Sequence, residues 1–425
     1  MKGLSLRANI SWTFVGNVVF AGSKWGMLVI LAKLGSPERV GQFVFALAVN
    51  APIFIFSNLR LRAVQATDAR HEYKFEDYLK LRIITTVFAF SIIICIVIVG
   101  DYGKELALII LALGIAKSFE SISDVFYGLL QQRERMDKIA KSMIIKGPLS
   151  LIAMGIIYYL TNSIIFGAIS IAASWMAVLV FYDIRNGYLI LGSTSKFMKL
   201  INREYTIKRL VPIKWDIKTL FNLTCLAFPL GIVAMLVSLK SNIPRYFIKA
   251  FMGEHSLGIF GAMAYMMVAG DTIVSAIGQS ASPRLAKYYA SRNDEAFRSL
   301  LFRLVKIGII LSCIGVLGAY LLGEDILTIL YSSEYAIPDL FVYLVIAMGI
   351  SYIASFLGYG MTAARYFKIQ VPLFALVIGT LTLACLLLIP SNGLYGAAIA
   401  LIIASVLHAG SNSLIIVRAL SAIKK

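Results

Sequence analysis

Eight ionisable side chains stand inside otherwise apolar stretches of this sequence: Lys24, Lys117, Glu120, Asp124, Lys240, Arg245, Asp271 and His408. An ionised group facing hydrocarbon is unfavourable by roughly 2.5–3.5 kcal/mol on insertion scales, so such residues face water, a protein partner or a polar ligand. Lys117, Glu120 and Asp124 follow i, i+3, i+7 spacing, which puts them on one helical face. They read either as a polar stripe lining a cavity or as a self-neutralised pair near a helix end, snorkelling to water. Lys24 has no acidic residue within a turn. It lines a cavity or snorkels, and its place near the middle of an apolar run favours the cavity. Arg245 follows Pro244. A proline inside a span is expected to break the helix and free carbonyls, and an arginine beside the break suits bidentate capture of phosphate or carboxylate. The competing role is an anchor at the outer interface. Asp271 fits a proton or sodium site equally with a cap or a partner for a buried base. His408 is more simply a hydrogen-bonded packing residue than a proton relay, and His71 and His255 fall in loops.

Enzyme templates are missing. The chain has no GxxxxGK[ST], HExxH or GxSxG motif, so it lacks a P-loop and these hydrolase signatures. Cys95, Cys225, Cys313 and Cys385 lie far apart, each in an apolar run, with no CxxC or Cys/His spacing. They are expected to be packing residues rather than metal ligands or disulfides.

The elements that must position these residues are membrane spans. Of 425 residues, 59% are hydrophobic and only 15% charged, too few to cover a soluble protein of this size. Apolar runs long enough for a helix to cross hydrocarbon fall at 10–34, 40–59, 83–99, 106–130, 144–160, 164–182, 220–240, 256–278, 307–322, 340–362, 371–389 and 394–417. The fold class is therefore an all-α membrane protein of about twelve transmembrane helices. Lys2 and Arg7 precede the first run, which has no small-residue cleavage site, so it is expected to be a retained span rather than a signal peptide.

The net charge of +18 raises nucleic acid as a partner, but the placement of the basic residues speaks for topology. Both termini and the loops after even-numbered spans hold 32 of the 40 Lys and Arg. This count takes Arg82 and Lys146 as loop residues. The excess places those loops and both termini in the cytoplasm. Most outer loops are a handful of residues, and the longest, at 323–338, is too short to fold into an external domain. The basic segment 185–218 falls at the midpoint and divides an N-terminal six-helix bundle (1–184) from a C-terminal one (219–425). The halves share a short pattern: Leu34-Gly35 through Gly41-x-Phe43 parallels Met252-Gly253 through Gly258-x-Phe260. Internal repeats of this kind are a common transporter plan.

An ordered set of segments resembles the flippases of bacterial polysaccharide biosynthesis. The first half contributes Gly16-Asn17, Lys24-Trp25, Leu31-Ala32-Lys33-Leu34, Val40-Gly41, Ala51-Pro52 and the stretch Leu59-Arg60-Leu61-Arg62-Ala63-Val64-Gln65-Ala66-Thr67-Asp68. The second contributes Ser241-Asn242-Ile243-Pro244-Arg245-Tyr246, Leu257-Gly258-Ile259-Phe260, Ala281-Ser282-Pro283-Arg284-Leu285-Ala286 and Gly393-Leu394-Tyr395-Gly396-Ala397-Ala398. That family, which serves O-antigen and capsule assembly, belongs to the MOP superfamily with the MATE drug exporters and the lipid II flippase.

The resemblance implies two six-helix bundles around a central cavity, set in the bacterial inner membrane. It implies transport rather than catalysis: an undecaprenyl-diphosphate-linked oligosaccharide moves from the cytoplasmic to the outer leaflet by alternating access, coupled to an H+ or Na+ gradient. No other cofactor, metal or nucleic acid is implied. Expected partners are membrane lipids and the polysaccharide polymerase and chain-length proteins. The cavity cations carry over to Lys24, Lys117 and Arg245, with Glu120, Asp124 and Asp271 as polar or ion-coupling positions. Two other functions compete, a MATE-like exporter of small amphipathic molecules and a membrane polysaccharide polymerase or ligase. The first favours an acidic cavity, and the second a sizeable external loop with acid–base residues.

Overall fold

The computed structural model describes residues 5–68, 72–191, 216–366 and 369–424. These residues are helical and contain no strand. In hydrocarbon every backbone N–H and C=O needs a partner within the chain, and a helix supplies them all locally. The first half comprises α1 (Leu6–Leu34), α2 (Pro37–Ser57), the short α3 (Leu61–Thr67), α4 (Phe75–Val99), α5 (Lys104–Gln132), α6 (Met136–Thr161) and α7 (Ile164–Val178). A π-helical turn, Leu179–Ile184, joins α7 to α8 (Arg185–Ile190). The second half comprises α9 (Ile217–Met266), α10 (Val268–Ala290), α11 (Asp294–Leu330), α12 (Pro338–Ala363) and α13 (Gln370–Lys424).

Ten helical runs among the described residues are long and apolar enough to cross a membrane. Two of them, Ile217–Ala290 and Gln370–Arg418, run for 74 and 49 residues. A span needs about 20 residues, and each of these runs is cut at one residue whose backbone is not helical. The cuts fall at Gly253 (φ 81, ψ −170) and Gly393 (φ 58, ψ −135), backbone conformations that only glycine adopts readily. The two cuts turn ten runs into twelve spans, the number in the apolar pattern. Large side chains such as Phe14, Val87, Ile98, Phe181 and Leu387 are exposed along the helices. Lipid tails are as apolar as leucine, so such walls suit a bilayer.

Several boundaries differ from the apolar runs. The helix α9 runs through Pro244 with helical backbone, and the break comes at Gly253. Proline loses one hydrogen bond, yet its fixed φ is itself helical, so the chain turns where glycine allows it. The outer loop expected at 323–338 shrinks, because α11 continues to Leu330. Of the basic linker expected at 185–218, Arg185–Ile190 prolongs the sixth span as α8. Residues 192–215 lie outside the described residues, as do Lys2, Arg70, His71, Lys368 and Lys425. Asp216 caps α9, accepting from Thr219 Oγ1 (2.6 Å) and from the backbone of Lys218 and Thr219. The Thr219 hydroxyl in particular holds the Asp216 carboxyl below the usual carboxylate range.

The chain divides into two compact units, one of Met1–Leu34 and Ala46–Ser238, the other of Gly35–Phe45 and Leu239–Lys425. In the first unit Leu61, Tyr78, Leu81, Phe126, Leu179 and Leu223 share one buried cluster. In the second, Tyr331 donates to Ala262 O (2.9 Å) and Asn412 to Ala354 O (2.9 Å), which ties separate spans together. The paired glycine pattern also acquires a structural sense there. A Cβ at Gly41 would lie 1.9 Å from the Glu254 carbonyl oxygen, and one at Gly258 would lie 1.9 Å from that of Pro37. Glu254 and Pro37 each stand four residues before the other glycine, so the two copies of the pattern cross backbone to backbone in a reciprocal contact. Glu38 and His255, equivalent positions in the pattern, meet at 2.7 Å beside the crossing.

Candidate functional site

The first unit brings Lys24, Lys117 and Glu120 together. Lys117 is near the centre of α5, well away from either helix end, and Glu120 follows one turn later. Lys24 comes from α1. Its ammonium donates to Glu120 Oε1 at 3.2 Å, while the Lys117 ammonium donates to Oε2 at 2.6 Å. One carboxylate thus bridges two ammonium groups from different helices. The Trp175 ring lies 5.5 Å from the Lys24 ammonium and 5.7 Å from that of Lys117, and Phe20 stands 4.2 Å from Lys24. The indole and phenyl faces stabilise the cations by cation–π attraction and limit where they can move. The three charged side chains are 22–31% exposed, so the cluster is reachable from outside the unit. With two positive charges and one negative it keeps a net positive charge.

Asp124, expected on the same face, has other partners. Arg82 donates to its Oδ2 at 3.1 Å and Arg62 lies 3.6 Å from Oδ1. Arg82 is fully buried and also binds Asn58. This arginine, expected in a loop, lies inside α4. Asp124 provides the counter-charge that such burial requires.

Lys146 departs from the sequence reading in the same way. It is 1% exposed within α6 and meets Asp183, 0% exposed, at 3.4 Å. Its ammonium also donates to Ser123 Oγ (2.8 Å) and Tyr127 Oη (3.1 Å), and Ser142 donates to Asp183 Oδ1 (2.5 Å). Asp183 sits in the π-helical turn, a distortion frequent at functional sites. Lys146 falls inside the apolar run 144–160, which is the signal that a loop assignment overlooks. Asp183 stands just beyond the end of its own run, and no local pattern marks its partner.

The second unit holds the other candidates. The Lys240 ammonium lies 3.5 Å from His408 Nδ1 and 3.5 Å from Ser351 Oγ, with Phe374 packed on the imidazole at 5.1 Å. Asp271 is exposed and close enough to interact electrostatically with Lys240. Arg245 is separate. It donates to Asn242 Oδ1 (3.0 Å), lies 5.8 Å from the Tyr265 ring and has no carboxylate within 4 Å among the described residues. Its buried Nε makes no hydrogen bond among the described residues. No group of three His, Cys, Asp or Glu among the described residues is placed to hold a metal ion.

Residues 6–289 match the family described as polysaccharide biosynthesis protein. The capsular polysaccharide biosynthesis protein CapF of Staphylococcus aureus is 30% identical over 400 residues, covering 93% of this chain and 95% of that one. Among solved structures, the inward-facing form of a multidrug resistance MATE family transporter of the MOP superfamily superposes with a TM-score of 0.68. It is 14% identical, over 97% of this chain and 99% of that one. A MOP superfamily transporter from Pyrococcus furiosus, whose binding pocket has reversed polarity, gives 0.63 at 15% identity, over 99% and 96%. At such identities the structural likeness establishes the fold.

Proposed function

The chain belongs to the polysaccharide biosynthesis protein family, and from that premise we propose that it is a flippase. Its substrate is a polyprenyl-diphosphate-linked oligosaccharide, carried by alternating access from the cytoplasmic to the outer leaflet of the bacterial cytoplasmic membrane. The observation that carries this reading is the pair of ammonium groups, Lys24 and Lys117, held at span depth in a reachable cluster of net positive charge. Hydrocarbon excludes both a sugar and a diphosphate, and fixed cations replace the water lost around the anion. Arg245, with no carboxylate beside it among the described residues, adds a forked donor suited to phosphate oxygens. An exporter of amphipathic cations would need the opposite balance.

The basic excess at even-numbered loops supports an orientation with both termini in the cytoplasm. Coupling to an ion gradient, H+ or Na+, fits Asp271 best, an exposed carboxylate that interacts with a nearly buried Lys240–His408 contact.

Deletion of the gene tests the reading. Lipid-linked repeat units are expected to accumulate on the cytoplasmic leaflet and to return to the outer leaflet on complementation. Normal outer-leaflet delivery in the deletion strain contradicts it.

A further inference from the structure

We infer that Glu120 is a resident counter-ion, which the diphosphate of an incoming substrate displaces from Lys24 and Lys117 and which reclaims both lysines to expel it. The inference deepens the flippase reading and rests on it for the identity of the anion.

The geometry is that of a carboxylate standing in for a phosphate. Each Glu120 oxygen holds a different ammonium, Oε1 that of Lys24 at 3.2 Å and Oε2 that of Lys117 at 2.6 Å. Both cations lie against one indole, that of Trp175, which keeps them together when the carboxylate leaves. Trp175 is itself only 4% exposed, and its N–H makes no hydrogen bond among the described residues, a spare donor on the same ring.

Exposure separates this pair from its neighbour. Lys146 and Asp183 are of the same chemical types but are 1% and 0% exposed and wrapped by Ser123, Tyr127 and Ser142. That pair is sealed. Lys24, Lys117 and Glu120 are 31%, 22% and 27% exposed, so an anion from outside can compete for the lysines.

The charges set the direction of exchange. A diphosphate diester carries two negative charges and balances both ammonium groups, whereas Glu120 balances one. Substrate therefore wins the lysines while it is present. The tethered carboxylate, always at high local concentration, competes for them at every moment and shortens the substrate's stay. A transport site must bind well enough to load and loosely enough to release, and an internal competitor meets both needs.

The test measures binding to purified protein in lipid nanodiscs. Inorganic diphosphate probes the shared anion and farnesyl diphosphate probes a lipid-borne one. Glu120→Gln removes the competitor, so both probes are expected to bind about tenfold tighter or more, while polysaccharide export in cells falls because release slows. Glu120→Asp keeps the charge but shortens the reach, and an intermediate gain in affinity is expected. This second variant answers the question if the glutamine variant does not fold. Unchanged or weaker binding in a folded variant overturns the inference. So does a gain confined to inorganic diphosphate, which assigns the site to a soluble anion. A gain confined to farnesyl diphosphate supports it. Failure here leaves the deletion phenotype intact, whereas failure of the flippase reading removes that phenotype whatever the affinities.

Discussion

Replacing Lys24 and Lys117 together by methionine is expected to lower polysaccharide export by about 10²- to 10⁴-fold. A charge-assisted contact to a phosphate is worth about 1.5–3 kcal/mol, and each ~1.4 kcal/mol is about a factor of ten. Either single variant is thus expected to lose about 10- to 100-fold. The two losses need not multiply, because both lysines share Glu120. Methionine retains the apolar stem, so the Phe20 and Trp175 packing is largely kept. The double variant strands Glu120, and a triple variant adding Glu120→Gln removes that complication. It is expected to accumulate normally in the membrane and still fail to export. Surface polysaccharide and protein abundance, measured on the same cells, provide the check, and wild-type export by the triple variant contradicts the assignment.

The second large effect concerns stability. Lys146→Met leaves Asp183 as a charge with no ammonium beside it, at a site that is 0% exposed. Breaking a buried pair from one side typically costs about 3–5 kcal/mol. Unfolding of the purified protein in detergent is expected to shift to markedly lower temperature. Adding Asp183→Asn removes the stranded charge and keeps a group that can bond Ser142, and most of the loss is expected to return. A single variant as stable as the wild type shows that the pair is not what holds α6 to the π-helical turn.

The two clusters also show which parts of the site the sequence could reveal. Lys117 and Glu120 are one turn apart on one helix, and local spacing was enough to pair them. Lys24 declared itself by isolation in an apolar run, although its partner lies 96 positions away. Spacing leaves the partners of Asp124 open, because i+7 predicts a shared face but not that two arginines from other helices will claim the carboxylate. Arg82 and Lys146 read as loop residues in the sequence, since a basic residue at the edge of an apolar run looks like an interface residue until its buried partner is known. The partner of Lys146 is 37 residues away and outside every apolar window. The reciprocal crossing of Gly41 and Gly258 was foreshadowed by a short internal similarity whose meaning, close backbone contact, needed three dimensions. The number of spans, in contrast, follows from hydrophobicity alone. The two turns that complete it are at glycines within or next to short expected loops.

The central claim is that this chain by itself moves a diphosphate-linked lipid across a bilayer. Its most direct test reconstitutes the purified protein in vesicles loaded, in one leaflet, with a fluorescent polyprenyl-diphosphate oligosaccharide, under an imposed H+ or Na+ gradient. Vesicles with the wild-type protein are expected to expose the sugar to an added glycosidase far faster than protein-free vesicles, and the triple variant at Lys24, Lys117 and Glu120 is expected to match the protein-free rate. Equal exposure in wild-type and protein-free vesicles contradicts the account.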